Sequence, residues 1–353
     1  MFDEDRLKIY YNKIFPYQLM FKWISYNKLN TQQKALASLD EGISSSYFHC
    51  REFSFTLAND VYCRYLCFKT AEQFKETLVD RVPFKIDIGA VFNIPPDRHN
   101  AADKKAFIPT EKEMVFDIDM NDYDDVRTCC TGAKVCEKCW EYLKIAMIVL
   151  TEILNEDFDL ENVLWVFSGR RGIHAWICDD EARKMTNEMR TAVVGYCNIG
   201  VGNEMSGRTQ LQYPLHPRLQ SIYKMLEPHF TRIIVQQHDL LSIELHRKKF
   251  LDYLPESVRN KVDAAWKSDA EMPGEKRWQI WCEEYEKFMS AGKKQGAYNK
   301  DSQKLLKEAL VFTYLYPRLD ANVSTGINHL LKSPWCVHPK TGEFAFFDHA
   351  SSV

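Results

Sequence analysis

Two aspartates, Asp117 and Asp119, form the strongest catalytic pattern in this sequence. They end the segment Glu113-Met-Val-Phe-Asp-Ile-Asp119, whose apolar residues predict a central strand that stops at a cleft. Residues two apart in a strand point to the same face, so both carboxylates should project together. This like-charged pair is unfavourable without a cation, and its hard oxygen ligands suit Mg²⁺ or Mn²⁺ in a two-metal site. An isolated Asp-x-Asp more often marks a solvated strand edge, but the apolar residues before it favour the metal site here. We expect three aspartates of the next loop to be solvated or to cap a helix: Asp122, Asp124 and Asp125.

A basic turn follows the predicted buried strand Val163–Phe167. Its sequence, Ser-Gly-Arg-Arg-Gly over 168–172, leads into a second predicted strand, 173–177, which carries His174. The glycines permit a tight turn and a close backbone approach, and the forked donors of arginine match phosphate oxygens. The turn therefore predicts a triphosphate ligand. Taken alone, it could equally be a basic surface hairpin, and the absence of a G-x-x-x-x-G-K-[ST] motif argues against a P-loop NTPase.

Four of the eleven cysteines are bunched as Cys129-Cys130-x5-Cys136-x2-Cys139. The second half has zinc-knuckle spacing, and four thiolates would complete a tetrahedral Zn²⁺ site of structural type. Adjacent cysteines supply two ligands less commonly, so a nearby group could replace one of them. A redox dithiol is the other alternative, although no thioredoxin-like context surrounds it. The scattered cysteines are predicted to be small buried hydrophobes: Cys50, Cys63, Cys67, Cys178, Cys197, Cys282 and Cys336.

A third carboxylate, Asp320, lies far along the chain, after a strand-like run at 312–316. It is followed by Asn328-His329-Leu-Leu-Lys332-Ser-Pro and then by His338. An acid, a lysine and a histidine could together complete a metal and phosphate site. By itself, Asp320 could cap a turn, and a structural role is the simpler interpretation of His329.

The remaining patterns predict an α+β catalytic domain that is interrupted by a mostly helical insertion. Apolar residues recur at helical spacing before Pro16, which marks a kink or a second helix start. Alternation from Arg51 onward predicts a β-hairpin that turns at Asn59-Asp60, with a further strand at 86–91 and a helix at 143–154. The predicted domains are a catalytic core in two parts, 1–197 (with the zinc knuckle at 129–139) and 313–353, and a helical insertion at 198–312.

The composition fits a soluble globular chain of 353 residues that is 45% hydrophobic. A net charge of −3 is low for a protein whose affinity comes from neutralising DNA phosphates, so nucleic acid should meet a small basic patch or be held by a partner. The N-terminal residues lack a signal-peptide core, and the apolar run 145–150 is too short to span a bilayer. We therefore expect an intracellular protein without disulfides or membrane contact.

Taken together, these stretches resemble the small, catalytic subunit of the archaeo-eukaryotic DNA primases, and the eukaryotic branch in particular. The resemblance leaves out only the helical insertion and rests on blocks in this order: Tyr10-Tyr-x-x-Ile-Phe-Pro16, Trp23, Arg51–Thr56, 85–91, 113–125, the cysteine cluster, 165–176 and 326–342. It implies a catalytic core with an RRM-like mixed sheet, a zinc knuckle and a helical subdomain. The chain ends at Val353, soon after the last block, whereas eukaryotic relatives usually carry a further helical tail.

The resemblance also implies a role for each candidate residue. It implies that two catalytic Mg²⁺ or Mn²⁺ ions are held by Asp117, Asp119 and Asp320. The residues that bind the incoming ribonucleotide, chiefly its triphosphate, would be Ser168, Arg170, Arg171, His174, Lys332 and His338. Those lining the other side of the nucleotide would be Arg64, Lys85 and Asp87. The structural Zn²⁺ ligands would be Cys129, Cys130, Cys136 and Cys139.

The implied activity is that of a DNA primase, a nucleotidyltransferase and DNA-directed RNA polymerase that starts short RNA chains on single-stranded DNA from ribonucleoside triphosphates. The implied partners are a large iron–sulfur subunit and the DNA polymerase alpha complex, within a primosome in the nucleus. Two alternatives stay open. One is a repair-type primase-polymerase that uses deoxynucleotides, and the other is a non-catalytic zinc-knuckle adaptor for nucleic acid, which would need neither three aspartates nor a triphosphate turn.

Overall fold

The structure is a computed structural model that describes residues 3–26, 46–101, 105–199, 209, 211–294, 301–338 and 340–343. The contacts within it divide the chain into two units. Unit 1 comprises Met1–Asp117, Leu154–Gly195 and Leu319–Val353, and unit 2 comprises Ile118–Ile153 and Tyr196–Arg318. The cysteine-rich segment 129–139 therefore belongs to unit 2. The functional domains expected from the sequence, 1–197, 198–312 and 313–353, stay a prediction.

A five-stranded antiparallel sheet lies at the centre of unit 1. Its strands are β1 (Arg51–Thr56), β2 (Tyr62–Leu66), β3 (Lys85–Phe92), β4 (Pro109–Glu111) and β8 (Leu331–Lys332). The order is β2-β1-β3-β4, and β8 also pairs with β3. The predicted hairpin at Asn59-Asp60 is confirmed. Not only the aromatic positions of β1 but also Glu52 and Ser54 between them are buried, so both faces of this strand are covered.

A second, three-stranded sheet carries the predicted catalytic strand and the basic turn. It contains β5 (Met114–Asp119), β6 (Val163–Phe167) and β7 (Gly172–Ile177) in the order β5-β7-β6. The strands β6 and β7 are antiparallel, with Val166 opposite His174. All three predicted strands are confirmed. The division between the two units falls within β5, directly after Asp117.

Short helices with aromatic faces cover the main sheet of unit 1. They are α1 (Glu4–Lys13), α2 (Tyr17–Ser25), α3 (Ser46–His49) and α4 (Ala71–Arg81). Two more short helices of unit 1 occur later in the sequence, α6 (Asp180–Lys184) and α13 (Ala321–Thr325). Pro16 separates the first two helices, as predicted. Phe53 of β1 packs against Phe48 and Phe74, with ring centroids 5.5 and 5.0 Å apart. Aromatic burial of this kind stabilises the sheet from which the site residues project.

Helices dominate unit 2. They are α8 (Pro217–Phe230), which continues as a π-helical segment (Thr231–Gln237), α9 (Glu244–Asp252), α10 (Glu256–Lys267), α11 (Gly274–Lys294) and α12 (Leu306–Leu315). Two further helices, α5 (Glu137–Phe158) and α7 (Asn187–Cys197), have residues in both units. Phe230, Phe250, Trp278 and Trp281 form an aromatic core in unit 2. The α+β class with a mostly helical subdomain is thus confirmed.

One local prediction is wrong: the strand-like run 312–316 belongs mainly to helix α12 (Leu306–Leu315). Every residue of this helix from Ala309 to Leu315 is buried, so no polar face interrupts the apolar run and no helical period is visible in the sequence. Thr313 fits the buried helix because its hydroxyl donates to the carbonyl oxygen of Ala309, 2.8 Å away. Among the described residues, no helix is both long and apolar enough to cross a membrane.

Candidate active site

The structure brings Asp320 to strand β5 from 203 positions further along the chain, since its amide nitrogen donates to the carbonyl oxygen of Asp117 at 3.1 Å. A carboxylate oxygen of Asp320 also accepts from the amide of Asn322 at 3.0 Å and caps helix α13. Asp119 similarly accepts from the amide of Asn121 at 2.9 Å. The cap that the sequence offered as an alternative for Asp320 therefore exists, and it fixes the orientation of the carboxylate beside β5.

The two predicted carboxylate ligands of β5 occupy alternate positions of the strand. Asp117 and Asp119 alternate with the fully buried Ile118 and are each half-buried. Both aspartates thus project from one face at the end of the strand.

His174 lies beside Asp117, with its Nε2 atom 3.5 Å from Asp117 Oδ1. Its side chain is only 8% exposed. Burial, together with the charges of Lys332 and Lys85, lowers the pKa of His174 to about 3. The imidazole is therefore neutral near pH 7, so it offers hydrogen bonding rather than positive charge to a ligand.

The basic turn is held from within and from the C-terminal segment. The amide of Ser168 donates to Gly172 O at 2.8 Å, and the amide of Gly172 donates to Ser168 Oγ at 3.1 Å. Gly169 has φ +80°, a conformation that favours glycine. Lys332 donates through Nζ to the carbonyl of Ser168, and Thr341 Oγ1 donates to that of Gly169 at 2.6 Å. These bonds fix the turn that presents the two arginines.

Four cations surround His338. Burial is the largest cause that lowers the pKa of this imidazole, and together with the charges of Lys332, Arg170, Lys340 and Arg171 it brings the pKa to about 4. A convergence of cations around a neutral group is unfavourable in an empty site and is relieved by a bound anion. The electrostatics of the turn and the C-terminal segment therefore suit a phosphate-bearing ligand. The sequence analysis gave Lys340 no role, although it lies only two residues beyond His338 in the C-terminal motif.

Two of the three residues expected on the other side of the nucleotide, Lys85 and Asp87, lie close to Lys332. Asp87 on β3 is opposite Lys332 on β8 and accepts from Ser54 Oγ at 3.0 Å. Lys85 Nζ lies 3.0 Å from Asp87 Oδ1. Arg64, in contrast, lies on the edge strand β2 and forms a bidentate pair with the buried Glu52, at 3.0 and 3.2 Å. Its guanidinium is thus anchored to β1 rather than to Asp87.

The four clustered cysteines come together in unit 2, with all sulfur atoms within 4.8 Å of one another. The sulfurs of Cys136 and Cys139 are 3.9 Å apart. A tetrahedral site with zinc–sulfur bonds of about 2.3 Å requires sulfur atoms about 3.8 Å apart, so both the donor set and the spacing fit one metal ion. Because all four thiols converge, no other group is required to replace one of the adjacent pair.

Arg127 supports the cysteine loop from the inside. Its buried guanidinium donates to Gly132 O at 2.8 Å, to Lys134 O at 2.9 Å and to Asp124 Oδ1 at 2.6 Å. Asp125 forms an ion pair with Arg318. Asp124 and Asp125 are exposed, as expected for solvated loop residues, and each also pairs with an arginine that the local sequence pattern did not single out.

The chain is similar to several known proteins over most of its length. The family model described as DNA primase small subunit matches residues 116–346. The small subunit of Schizosaccharomyces pombe is 36% identical over 343 residues, which cover 96% of this chain and 71% of that protein. The Drosophila melanogaster subunit is 37% identical (96% and 75% covered), and that of Saccharomyces cerevisiae is 32% identical (95% and 79% covered).

The chain belongs to the DNA primase small subunit family. The predicted eukaryotic branch is confirmed by these matches over most of the chain. An archaeal small subunit from Pyrobaculum aerophilum matches over only 41% of it, at 28% identity. The primase family model begins one residue before Asp117 and contains the basic turn, the cysteines and the C-terminal cations, but not Arg64, Lys85 or Asp87.

A buried ion pair next to strand β5 was also missed by sequence reasoning. Arg51 donates to both carboxylate oxygens of Glu113, at 2.8 and 2.9 Å, and both side chains are fully buried. Tyr26 donates to the same carboxylate at 2.6 Å. Mainly through Arg51, these partners outweigh burial and lower the pKa of Glu113 to about 2. The ion pair fixes Glu113, the residue that directly precedes β5. The sequence signal that could have indicated this pair is an acidic residue immediately before an apolar strand.

Proposed function

We propose that this chain is the catalytic subunit of a DNA primase, which makes short RNA primers from ribonucleoside triphosphates on a single-stranded DNA template. Membership of the primase small subunit family supports a catalytic role in priming. The observation that carries the proposal is the main-chain hydrogen bond from Asp320 to Asp117, which places a third acid beside strand β5. His174 lies beside Asp117, and the charge of Lys332, which is bonded to the basic turn, lies near His174.

The acidic residues suit a pair of Mg²⁺ or Mn²⁺ ions. Asp117, Asp119 and Asp320 supply hard oxygen donors, and three such carboxylates suit a pair of ions about 3.5–4 Å apart. When bound, such ions lower the pKa of an attacking 3′-hydroxyl and offset charge at the α-phosphate. The capping bonds of Asp119 and Asp320 would hold their carboxylates in a set orientation before the ions arrive.

The cations of the turn and of the C-terminal segment would bind the triphosphate. Arg170 and Arg171 offer forked donors, and Lys332 adds a charge close to the main chain of the turn. His174 and His338 are neutral, so they would donate or accept hydrogen bonds, as would Ser168. On the other side, Lys85 and Asp87 would contact the sugar or base, with Arg64 contributing from β2.

We propose that the four-cysteine cluster binds Zn²⁺ and has a structural role. Four thiolates close the coordination shell, so no position is left for a reacting water. Arg127 would stabilise the thiolates, since one of its nitrogens lies 3.7 Å from the Cys139 sulfur. The redox-dithiol alternative lacks support, because all four sulfurs converge instead of one isolated pair.

The proposal includes partners, since a net charge of −3 gives little general affinity for DNA. A large iron–sulfur subunit and the DNA polymerase alpha complex would supply most of the affinity for the template. The assembly would act in the nucleus. The core 1–197 and 313–353 would carry the chemistry, and 198–312 would be the helical insertion.

The test is a primer-synthesis assay with single-stranded DNA, Mn²⁺ and either ribonucleotides or deoxynucleotides. The wild type should make short RNA, and Asp117→Ala with Asp119→Ala should make none while remaining folded. Asp122→Ala, an exposed acid of the next loop, is the matched control and should keep activity. Synthesis by the double variant would refute the site, efficient use of deoxynucleotides alone would favour the repair-type enzyme, and metal-independent nucleic-acid binding without nucleotide binding would favour the adaptor.

A further inference from the structure

A second group of metal-ligand side chains lies in unit 1, outside the proposed nucleotide site. A nitrogen of His49, the sulfur of Cys67 and a carboxylate oxygen of Asp97 all lie within 4.8 Å of one another. This spacing meets the same limit as that of the four cysteines. Among the described residues these are the two groups of three or more possible ligands at that spacing. Neither the sequence patterns nor the family match assigns a ligand or catalytic role to His49, Cys67 or Asp97.

Three separate elements bring the group together. His49 ends helix α3, Cys67 directly follows β2, and Asp97 lies in a 3₁₀ turn, Pro96–Arg98. The turn is fixed against β2 by ring stacking of His99 on Tyr65, with centroids 3.8 Å apart and planes 17° apart. The carbonyl of Cys50, next to His49, accepts from the amide of Phe92 on β3 at 2.8 Å. Because packing outside the group holds each element, the three ligand atoms are preorganised.

We propose that His49, Cys67 and Asp97 form a second metal site that takes a divalent transition metal, with Zn²⁺ as the best fit. One imidazole nitrogen, one thiolate and one carboxylate match the mixed N, S and O donors that zinc accepts in tetrahedral sites. Three protein ligands leave a fourth position for water, and the thiol of Cys50 is a further donor close to Cys67 and Asp97. The hard cations Mg²⁺ and Ca²⁺ would not prefer a thiolate.

The charges around the group are compatible with a bound dication. Lys69 and Arg98 lie near His49 and would oppose a lone cation. A thiolate and a carboxylate together carry two negative charges, so they neutralise the ion, and the neighbouring cations then face a site with no net charge. Metal binding would release the thiol proton of Cys67 to solvent. The bound ion would tie the end of β2, the strand that carries Arg64, to helix α3.

The experiment counts metal per chain. Purified full-length chain is equilibrated by dialysis against buffer with micromolar free Zn²⁺, and bound zinc is measured by plasma mass spectrometry. The wild type and Cys63→Ser, a half-buried cysteine of β2 outside the group, should bind equally. Cys67→Ser and Asp97→Asn should each bind one equivalent less. The Asp97 variant guards against misfolding, because Asp97 is exposed and its replacement is isosteric.

The difference between variants makes the result independent of the proposed primase function and of the cysteine cluster. If the four cysteines bind no zinc, the zinc content of the wild type and of every variant is lower by the same amount, and the difference of one equivalent between them remains. Co²⁺ replacing Zn²⁺ gives a second measure, since its sulfur-to-metal absorption should decrease in Cys67→Ser but not in Cys63→Ser. Equal zinc content in wild type, Cys67→Ser and Asp97→Asn would overturn the proposal.

Discussion

The cysteine cluster of unit 2 and the group that Asp117, Asp320 and the nearby cations form in unit 1 are assembled in opposite ways. The cluster takes all four sulfurs, and the supporting Arg127 and Asp124, from residues 124–139. The group in unit 1 takes its residues from β3, β5, β7, β8 and the C-terminal segment, spread from Lys85 to Lys340. Removal of the metal from a local site therefore need not disturb the rest of the chain, whereas a distributed site depends on both sheets that supply its residues.

The largest effect should follow from Asp320→Asn. Asparagine is as good an N-cap as aspartate, so the fold should persist while one charged oxygen ligand is lost. Primer synthesis should fall on the order of 10³-fold, as expected when several kcal/mol of stabilisation of the transition state is removed. Bound zinc should not change.

Asp320→Ala is the matched variant for this prediction. It should lose the same activity and, in addition, about 1 kcal/mol of the free energy of unfolding, because alanine cannot cap helix α13. Equal stability of the two variants would mean that the cap does not matter. Full activity of Asp320→Asn would mean that the third acid is no ligand.

The second prediction concerns the local site. Cys139→Ser removes the buried sulfur of the cluster, so one equivalent of zinc should be lost and amide exchange should become fast across 127–139. Nucleotide binding, measured by fluorescence titration, should survive because unit 1 supplies those residues.

Cys282→Ser, another cysteine of unit 2 outside the cluster, should keep both its zinc and its exchange protection. If Cys139→Ser abolished nucleotide binding without general unfolding, the two regions would not be independent.

The third prediction tests the ion pair that fixes the start of β5. Glu113→Gln leaves the charge of Arg51 buried without a counter-charge, so the free energy of unfolding in urea should fall by about 3–5 kcal/mol. Replacing both partners, with Arg51→Met and Glu113→Leu, should recover much of the loss. A larger loss in the double variant would contradict this account.

The same pair predicts a pH dependence with a defined sign. The pKa of Glu113 is lowered from 4.5 to about 2, so its contribution is complete above about pH 4.5 and is lost as the pH falls towards 2. Urea titrations across this range should show a steeper loss of stability in the wild type than in Glu113→Gln. Parallel curves would indicate that Glu113 does not titrate with the proposed shift.

The smallest effect concerns the cations around His338. Arg170→Gln removes one of the charges that lower its pKa, so the pKa should rise from about 4 by roughly half a unit. An NMR titration of the imidazole resonances measures it. Arg81→Gln, an exposed arginine that is not among those charges, should cause no change.

Much of the fold followed from local patterns, and the exceptions have identifiable causes. The strands 114–119, 163–167 and 172–177 were predictable because alternation of apolar and polar residues and short apolar runs are local patterns that span only a few residues. Helix α12 was not, because full burial removes its polar face. Cys67 was expected to be a buried hydrophobe, and its proximity to His49 and Asp97 depends on how β2, α3 and a turn pack.

By itself, the sequence determined the chemistry that each segment can perform: paired acids on one strand face, arginines in a glycine turn and four thiols at knuckle spacing. These depend on side-chain type and on backbone periodicity, both of which are local. Only the tertiary structure decided that Asp320 lies against Asp117 and that His174 and His338 are neutral. Strand pairing over long sequence separations sets the first, and burial together with nearby charges sets the second, so neither can be read from neighbouring residues.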